Sequence, residues 1–554
     1  MSGLRLVISS TLLSRVLGAV RDTATAGLFG LGPVMDAFAF AFRIPNLARR
    51  LFGEGALSAT FLPAFSKAYE HSAATGHRGA WQLTSAVLTL LALGMTGLVI
   101  VGELFLALMA HFAYDGGKAE LLLGLTAVML PYAVLICLAA QVSAVLQALG
   151  RFGWPSFVPV VLNLCWLTGV WVAHRWAHEQ PTAQAYTMAA SILLAGVFQL
   201  ALQIPELYRL GFRYERDWRP VWAEVMGIIR AILPVTIALS ITQINSVLDS
   251  LVAWVFSRPP NGSLTMALPG SPEYPLQGGA VSALYFGERI YQFPLGVFGV
   301  ALGTVLFPLL ARHAARGELK RLRDDLSLAL RLVLVIGIPA SVGLMAVAHP
   351  LTRALLQHGE FGESAANRTS AMISAYSLGV WAYCGIPVLF RGFYALGDRT
   401  APLRIGMFAI LLDSALNLTL IWFLAEQGLA CSTAISAMAQ FGLLCVMLQR
   451  RVGRFDWPRF WVTAGKALVA SLVMLAVCLL VQQNQPDWGE MLTVVIPRGH
   501  RWLRVGGDLV ALGVPVAIAG LVYLLMAWIL SLNDLWLLFQ RDKAEGDLPP
   551  IDPS

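Results

Sequence analysis

The 554-residue chain is 57% hydrophobic and only 13% charged, with a mean hydropathy of +0.68. Soluble domains usually carry about 25% charged residues, so this composition excludes a water-soluble enzyme and a disordered chain. The net charge of +7 is a thin excess over this length and gives no indication of a nucleic-acid partner. The six cysteines lie in apolar runs without metal-ligand spacing, which is typical of small buried hydrophobic residues.

Fourteen apolar runs are long enough to cross a bilayer, which requires about 20 apolar residues per helix. In chain order the predicted spans are 4–29, 33–66, 81–109, 119–148, 155–177, 183–208, 222–256, 278–312, 327–349, 366–396, 401–424, 429–449, 460–482 and 505–530. The pattern predicts an all-α, polytopic membrane protein. Residues 1–10 lack the basic and apolar pattern of a cleavable signal, so we expect the first helix to begin there.

The orientation of the spans follows from the uneven distribution of lysine and arginine between the two sets of loops. If the N-terminus is cytoplasmic, three basic clusters fall on the inside. They are Arg209/Arg213/Arg216/Arg219, Arg312/Arg316/Lys320/Arg321/Arg323 and Arg450/Arg451/Arg454/Arg459. The asymmetry therefore predicts a multi-pass protein with both termini in the cytoplasm.

Two landmarks recur at nearly the same offset and suggest an internal duplication. Ala148-Leu149-Gly150 with Pro155 returns as Ala395-Leu396-Gly397 with Pro402, 247 residues later, and Ile44-Pro45 corresponds to Phe293-Pro294, 249 residues later. Six spans per copy keep both copies in one orientation, as parallel repeats require. We predict an N-lobe at 1–220, a C-lobe at 221–455, and a C-terminal helix pair with a cytoplasmic tail at 456–554. Chance matching of such short patterns is the alternative.

Charges are costly inside a bilayer, by about 2.5–3.5 kcal/mol on insertion scales, so embedded charges are functional candidates. Three of the predicted spans hold six arginines against four acids: Arg15, Arg21, Arg43, Arg49, Arg50 and Arg289 against Asp22, Asp36, Glu54 and Glu288. Asp36, Arg43, Arg50 and Glu54 form one helical stripe, which predicts that they face a cavity or another span. Structural ion pairs explain some of these charges, but the surplus of arginine indicates an anionic guest such as phosphate or pyrophosphate.

A second group combines carboxylates with amides inside apolar spans. Asn245 and Asp249 are four residues apart, as are Asp413 and Asn417, so each pair shares a helix face. Carboxylate and amide oxygens suit a hard cation such as Na⁺, and the same groups can carry a proton. Hydrogen bonding between helices is the structural alternative.

With these residues, the chain resembles the MurJ (MviN) family of lipid II flippases in the multidrug/oligosaccharidyl-lipid/polysaccharide exporter superfamily. The resemblance rests on three segments. They are Ser14-Arg15-Val16-Leu17-Gly18 with Arg21-Asp22, then Asp36-Ala37-Phe38 with Pro45-Asn46-Leu47-x-Arg49-Arg50-Leu51-Phe52-x-Glu54-Gly55-Ala56, and finally Glu288-Arg289 through Pro294-Leu295-Gly296-Val297 to Gly303-Thr304. Fourteen spans in two six-span lobes plus a C-terminal pair fit the family along the whole chain.

The resemblance implies alternating access around a central cavity and transfer of undecaprenyl-pyrophosphate-linked disaccharide-pentapeptide to the periplasmic leaflet of the bacterial inner membrane. The implied substrate-binding residues are Arg15, Arg21, Asp36, Arg49, Arg50, Glu288 and Arg289. The implied Na⁺ ligands are Asp249, Asp413, Asn417 and Thr433, in a looser alignment. Spans 13 and 14 are implied to form a groove for the polyprenyl tail. This chain departs from some members at Gln292, where they carry a second acid.

Two other classes compete with this interpretation. A flippase for another polyprenyl-linked glycan, or a cation-coupled antiporter, shares the superfamily, but such antiporters usually have twelve spans and fewer cavity arginines. A membrane enzyme acting on lipid-linked sugars needs a positioned base or metal carboxylates. The only adjacent acidic pair, Asp324-Asp325, lies among basic residues in a predicted inside loop. We therefore expect no enzyme activity and no cofactor except Na⁺ or H⁺ as coupling ion, with a monomer as the acting species and lipid II and membrane lipids as partners.

Overall fold

The computed structural model describes residues 2–53, 56–72, 76–112, 118–177, 180–259, 266, 273–296, 300–484, 501–532 and 534–535. Within these ranges the regular elements are helices, apart from one isolated bridge between Ser257 and Leu276. The fold class predicted from the sequence, an all-α polytopic protein, is confirmed. Glu54 lies outside the described residues, as does the C-terminal tail beyond residue 535.

Ten helices precede residue 257. They are α1 (Ser2–Phe29), α2 (Pro33–Ala48), α3 (Ala56–His71), α4 (Arg78–Phe112), α5 (Lys118–Met129), α6 (Tyr132–Ala148), α7 (Gly153–Trp176), α8 (Pro181–Ala201), α9 (Ile204–Arg209) and α10 (Trp222–Phe256). Nine more follow: α11 (Ala280–Pro294), α12 (Val300–Ala315), α13 (Leu319–Leu356), α14 (Glu363–Ser377), α15 (Val380–Ala395), α16 (Thr400–Leu424), α17 (Glu426–Val452), α18 (Trp457–Asn484) and α19 (Arg501–Ile529).

Each of the fourteen predicted spans coincides with one of these helices or with two consecutive ones. Nine helical segments in the described ranges are long and apolar enough to cross a membrane, or ten if α14 and α15, bent by 45° at their junction, form one span. The segments outside that count are α1, α2 with α3, α10, and α11 with α12. All four hold charged residues.

The chain divides into two compact units. Unit 1 comprises residues 1–282 with 358–362, and unit 2 comprises 283–357 with 363–554. The sequence repeat predicts a lobe boundary at 220/221, whereas α10 packs within unit 1 through contacts with α2, α3 and α4. The boundary predicted from the repeat and the boundary between the units therefore differ, and the predicted lobes remain a prediction.

The two landmark pairs have matching local structure. Gly150 and Gly397 both have φ of +74°, a conformation that favours glycine after a helix, and each ends its helix in the same way. Arg151 N–H donates to the Leu146 carbonyl at 2.8 Å, and Asp398 N–H donates to the Phe393 carbonyl at 3.0 Å. These bonds satisfy carbonyls that a helix end leaves without intrahelical partners. Equivalent turns are what a duplication predicts.

Proline explains how the C-terminal helices attach within unit 2. Pro339 and Pro350 lie inside α13 and have no N–H to offer the carbonyls four residues earlier, those of Val335 and Ala346. The Tyr523 hydroxyl of α19 donates to the Val335 carbonyl at 2.5 Å. The Gln482 amide of α18 donates to the Ala346 carbonyl at 3.2 Å. The helix pair therefore satisfies both carbonyls that the prolines leave unpaired, as membrane helices require.

Each unit has its own apolar core. In unit 1 the side chains come mainly from α3, α4, α6 and α10, and in unit 2 from α13, α15 and α17. Buried members of the first are Phe61, Phe65, Trp81, Leu83, Val142, Leu146 and Ile228. Buried members of the second are Leu326, Leu330, Val333, Val388, Phe393, Phe441, Leu444 and Leu448.

Candidate functional site

Unit 1 contains a partly enclosed cavity of ≈ 440 Å³. Its polar lining residues include the cations Arg21 and Arg49, both predicted from the sequence as substrate-binding residues. Hydroxyl and amide groups complete the polar lining: Ser14, Tyr132, Ser143, Gln147, Asn163 and Gln199. The cavity therefore combines fixed positive charge with several hydrogen-bonding groups, while its remaining wall is apolar.

Arg21 contacts side chains of its own helix and of α7. Its guanidinium donates to Asp22 Oδ1 through Nε at 2.9 Å and Nη2 at 2.7 Å, and to Asn163 Oδ1 through Nη1 at 3.1 Å. The guanidinium carbon lies 4.6 Å from the centre of the Trp166 ring. Asn163 is held in turn by donating to the Ser14 carbonyl at 3.0 Å. Because these contacts fix its orientation before a ligand arrives, little side-chain entropy remains to be lost on binding.

Arg49 owes its position to an interruption of the second predicted span. Residues Arg49–Gly53 form a π-helical turn directly after α2, which contains Pro45. Such turns re-aim side chains and occur often at functional sites. The Nε of Arg49 donates to Asn46 Oδ1 at 3.1 Å, one turn earlier, and the half-buried residue lines the cavity. The turn thus brings Arg49 to the cavity that Arg21 also borders.

The two arginines of the predicted stripe, Arg43 and Arg50, contact a neighbouring helix. Arg43 donates to the carbonyl of Ser246 at 2.9 Å and also to its hydroxyl, and Arg50 donates to Gln243 Oε1 at 2.6 Å. Both acceptors belong to α10, so the expectation that this stripe faces another span is confirmed for these two. Arg15 lies exposed on α1, and the cavity lining does not include it.

Asp36 is fully buried and binds the first turn of α11. Its carboxylate accepts the backbone N–H of Gly279 at 2.8 Å and of Ser282 at 2.7 Å, and the Ser282 hydroxyl at 2.7 Å. A carboxylate at a helix N-terminus satisfies N–H groups that have no intrahelical partner and interacts favourably with the helix dipole. The structure thus gives Asp36 an anchoring contact, and its predicted role in substrate binding remains a prediction.

The remaining predicted substrate residues belong to unit 2. Glu288 and Arg289 are adjacent on α11 and half-buried. The Arg289 guanidinium carbon lies 5.1 Å from the centre of the Tyr285 ring, within the range of a cation–π contact. This contact supports the arginine side chain without neutralising its charge.

The carboxylate and amide pairs lie in separate units. In unit 1, Asn245 donates to Asp249 Oδ2 at 3.4 Å, and Asp249 is 2% exposed. In unit 2, Asn417 donates to Asp413 Oδ2 at 3.2 Å. No group of three or more His, Cys, Asp or Glu side chains that could hold a metal ion occurs among the residues described.

The network around Asp413 extends to α17. The Ser436 hydroxyl donates to Asp413 Oδ1 at 3.1 Å, and the Ser432 hydroxyl donates to Asn417 Oδ1. Thr433, the predicted fourth ligand, donates its hydroxyl to the Leu429 carbonyl of its own helix at 2.9 Å. Two serine hydroxyls of α17 therefore donate to the carboxylate and amide oxygens of α16.

Sequence reasoning missed the residues that act through contacts between distant spans. Asn163 and Trp166 on α7 hold Arg21 from 142 and 145 positions away, and Ser432 and Ser436 complete the Asp413 network. An asparagine inside the predicted span 155–177 is a signal that could have been used, because a buried amide requires partners. The serines are too common in membrane helices to give a comparable signal.

Known proteins were compared with the chain at the level of family, sequence and fold. A family model described as lipid II flippase MurJ matches residues 25–497. A probable lipid II flippase MurJ from Rhizobium tropici is 31% identical, with 98% of this chain and 96% of the relative covered. The corresponding protein from Vibrio cholerae is 34% identical, with 87% and 89% covered.

Solved structures show the same relationship at the level of the fold. Lipid II flippase MurJ in an inward closed conformation has a TM-score of 0.71 and 22% identity, covering 95% of this chain and 98% of that chain. An inward-facing MATE family transporter of the MOP superfamily has a TM-score of 0.59 and 14% identity, covering 80% and 98%.

Fold and cavity together define a multi-pass α-helical membrane transporter. The family follows from the match over most of the chain and from relatives above 30% identity: this chain belongs to the lipid II flippase MurJ family. It is accordingly a multi-pass protein of the bacterial inner membrane, and the family predicted from the sequence is confirmed.

Proposed function

We propose that the chain transfers lipid II, the undecaprenyl-pyrophosphate-linked disaccharide-pentapeptide, from the cytoplasmic to the periplasmic leaflet by alternating access. The observation that carries the proposal is the presence of Arg21 and Arg49 on one cavity within unit 1. Family membership supplies the substrate class, because the relatives are described as lipid II flippases.

The chemistry of the cavity suits a pyrophosphate. A guanidinium stays charged at all physiological pH values and presents a planar fork of donors to phosphate oxygens. Hydroxyl and amide groups beside the arginines offer partners for the hydroxyls of the sugars. Two arginines on one cavity oppose the binding of a cationic drug through like-charge repulsion, which disfavours the antiporter alternative. Arg15, Arg50, Asp36, Glu288 and Arg289 are proposed to contact the substrate at other stages of transport.

Coupling to Na⁺ or H⁺ is part of the proposal, with Asp249, Asp413, Asn417 and Thr433 as the residues involved. Both aspartates are almost fully buried, at 2% and 1% exposure, and each lies beside an amide. A buried carboxylate that binds a cation or a proton in one conformation more tightly than in another would bias the alternating equilibrium. No other cofactor and no covalent step are proposed, and we propose that the protein acts as a monomer with both termini in the cytoplasm.

The function is tested by reconstituting the full chain in vesicles with fluorescent lipid II and measuring its accessibility in the two leaflets over time. We expect transfer of lipid II and no transfer of a neutral glycolipid of equal tail length. Arg450→Gln is the control for variants that remove a cavity arginine. It removes one exposed arginine of α17, far along the chain from the cavity residues. Absence of transfer, or equal transfer of the neutral glycolipid, would contradict the proposal.

Ion coupling needs a separate measurement. Transfer rates are compared with an imposed Na⁺ gradient, an imposed pH gradient and neither, in the wild type and in Asp249→Asn. The amide variant keeps the shape and loses the charge, so we expect it to lose the ion response while it still binds lipid. A wild-type rate that is indifferent to both gradients would leave these residues as structural hydrogen-bonding groups.

A further inference from the structure

Unit 2 contains a second pocket, of ≈ 360 Å³, that the transport site does not use. It lies where α13, the start of α18 and the residues after α19 meet. The charged groups on its wall are Arg331, Arg459, Lys466 and Asp534. Three cations against one carboxylate give the wall an excess of two positive charges, in a volume typical of ligand sites.

The pairing of these charges shows which of them face a guest. Arg331 is bound to Asp534 through Nε at 3.0 Å, and the Thr463 hydroxyl also donates to that carboxylate at 3.3 Å. This half-buried pair lines the pocket, with side-chain exposures of 13% and 20%. Lys466 forms no ion pair with any residue in the described ranges. Arg459 pairs with the half-buried Asp456 at 3.3 Å, and the Arg459 side chain is 77% exposed, so its charge remains accessible.

Neighbouring residues place the pocket at the depth of lipid head groups. Trp461 and Val462 on α18 are 65% and 58% exposed, and Trp528 near the end of α19 is 67% exposed. Exposed tryptophans at the ends of spanning helices lie at the membrane interface, where basic pockets between helices bind anionic head groups. Val462 itself belongs to the pocket wall, so the pocket opens beside a surface that contacts acyl chains.

We propose that this pocket binds the phosphodiester of an anionic membrane phospholipid, with Lys466 and Arg459 donating to the phosphate oxygens. The Arg331–Asp534 pair joins α13 to the residues after α19. Trp461 and Val462 contact the proximal acyl chains. The bound lipid would thereby join the C-terminal helix pair to α13. None of the pocket residues is among those proposed above to bind the pyrophosphate or the coupling ion.

Native mass spectrometry of the full chain, titrated with phosphatidylglycerol, tests the proposal. The variants are Lys466→Gln, Arg459→Gln and the double substitution, and Arg450→Gln is the control that removes one arginine from the end of α17 without touching the pocket. We expect about fivefold weaker binding for each single variant and about 25-fold for the double, because each basic residue near an anionic lipid contributes about 1 kcal/mol. The control should bind as the wild type does.

Three results would overturn the proposal. The double variant could bind phosphatidylglycerol as tightly as the wild type, phosphatidylcholine could bind equally well, or inorganic phosphate at equal concentration could displace the lipid. The last outcome would identify a soluble phosphate as the ligand. Because both substituted side chains reach solvent, we expect unchanged unfolding temperatures. The salt dependence of wild-type binding is a second measurement, and a salt-independent affinity would also contradict an electrostatic site.

Discussion

Arg21 and Arg49 in unit 1 and Asp413 in unit 2 are buried or half-buried charges with different surroundings. The two arginines border a cavity, and each donates a hydrogen bond to an asparagine, Arg21 to Asn163 and Arg49 to Asn46. Asp413 accepts hydrogen bonds from the opposite sides of one helix contact, from Asn417 and Ser436, and is 1% exposed. The first two side chains line a space that a guest can enter, whereas Asp413 makes its hydrogen bonds across a contact between two helices.

The difference shows that an embedded charge indicates function only when its surroundings are known. The sequence presents both sets as charges in apolar spans, and the same cost of insertion applies to both. Cross-helix partners decide which of them can bind a substrate. The predictions below therefore separate substitutions that should change transport from substitutions that should change stability.

The largest effect is expected for Arg49. Arg49→Ala should slow lipid II transfer about a hundredfold or more, because a charge-assisted bond to the pyrophosphate is worth about 1.5–3 kcal/mol and bidentate pairing adds to it. Arg49→Lys should be nearly as slow, since a point charge does not reproduce the planar fork. Transfer in vesicles and the unfolding temperature are the readouts. Full activity of the alanine variant would remove Arg49 from the substrate site.

A smaller effect is expected for Asn163, a positioning residue for Arg21. Asn163→Ala removes an acceptor of the guanidinium and its link to Ser14, so the apparent affinity for a pyrophosphate-linked lipid should fall about tenfold, the value of one lost hydrogen bond to a charged group. Ser156→Ala on the same helix, whose hydroxyl bonds only to the Phe152 carbonyl, is the matched control. A lowered unfolding temperature with unchanged affinity would mean that Asn163 only supports the helix packing.

Tyr523 tests a polar contact that is made within the protein and does not border the cavity. Tyr523→Phe leaves the Val335 carbonyl without a donor, so the free energy of unfolding should fall by about 1–2 kcal/mol while the transfer rate is unchanged. In a Pro339→Ala background residue 339 regains its N–H, and the same substitution should cost about 1 kcal/mol less. Thermal unfolding of the four proteins forms a double-mutant cycle. Strictly additive effects would show that the proline and the tyrosine act independently.

The smallest effect concerns the turn before α16, where Asp398 follows Gly397 as Arg151 follows Gly150 in the similar turn before α7. The N–H of Ala401, followed by the hydroxyl and N–H of Thr400 and by Arg451, lowers the pKa of the Asp398 carboxyl below its ordinary 3.8. A depressed pKa stabilises the fold above the unfolded-state pKa, and this stability is lost as pH falls through the folded-state value. Asp398→Ala should lower stability by about 1 kcal/mol at pH 7.

The pH dependence gives the matching control. Because the protonated carboxyl no longer favours the folded state, the difference in unfolding temperature between wild type and Asp398→Ala should shrink below about pH 4. Unfolding curves from pH 3 to pH 7 measure it. If the difference stays constant over this range, the charge of the Asp398 carboxylate does not contribute to the stability.

The sequence was informative where one helix determines the outcome. Span positions, the embedded arginines and the Asp413–Asn417 pair all follow from periodicity within a single run, and the fold class and family predictions are confirmed. Five predicted spans are each two helices in the structure: 33–66, 119–148, 183–208, 278–312 and 366–396. Hydropathy reports the apolar length of a run but not a break within it.

Contacts between distant spans could not be predicted from spacing. Asp36 meets Gly279 and Ser282, 243 and 246 positions away, and Tyr523 meets Val335 across 188 positions. Those pairings depend on how the helices pack, which single-helix periodicity does not encode. The roles predicted for residues in substrate and ion binding remain predictions. So do the orientation of the termini and the monomeric state.

The central claim is that Arg21 and Arg49 recognise the pyrophosphate from one cavity. The most direct measurement compares the affinities of the purified protein for a polyprenyl pyrophosphate and for the polyprenol of equal length, in the wild type and in Arg49→Ala. We predict that the wild type prefers the pyrophosphate at least tenfold and that the variant loses this preference while its affinity for the polyprenol is unchanged. An Arg49→Ala protein that still prefers the pyrophosphate by the wild-type ratio would contradict the account.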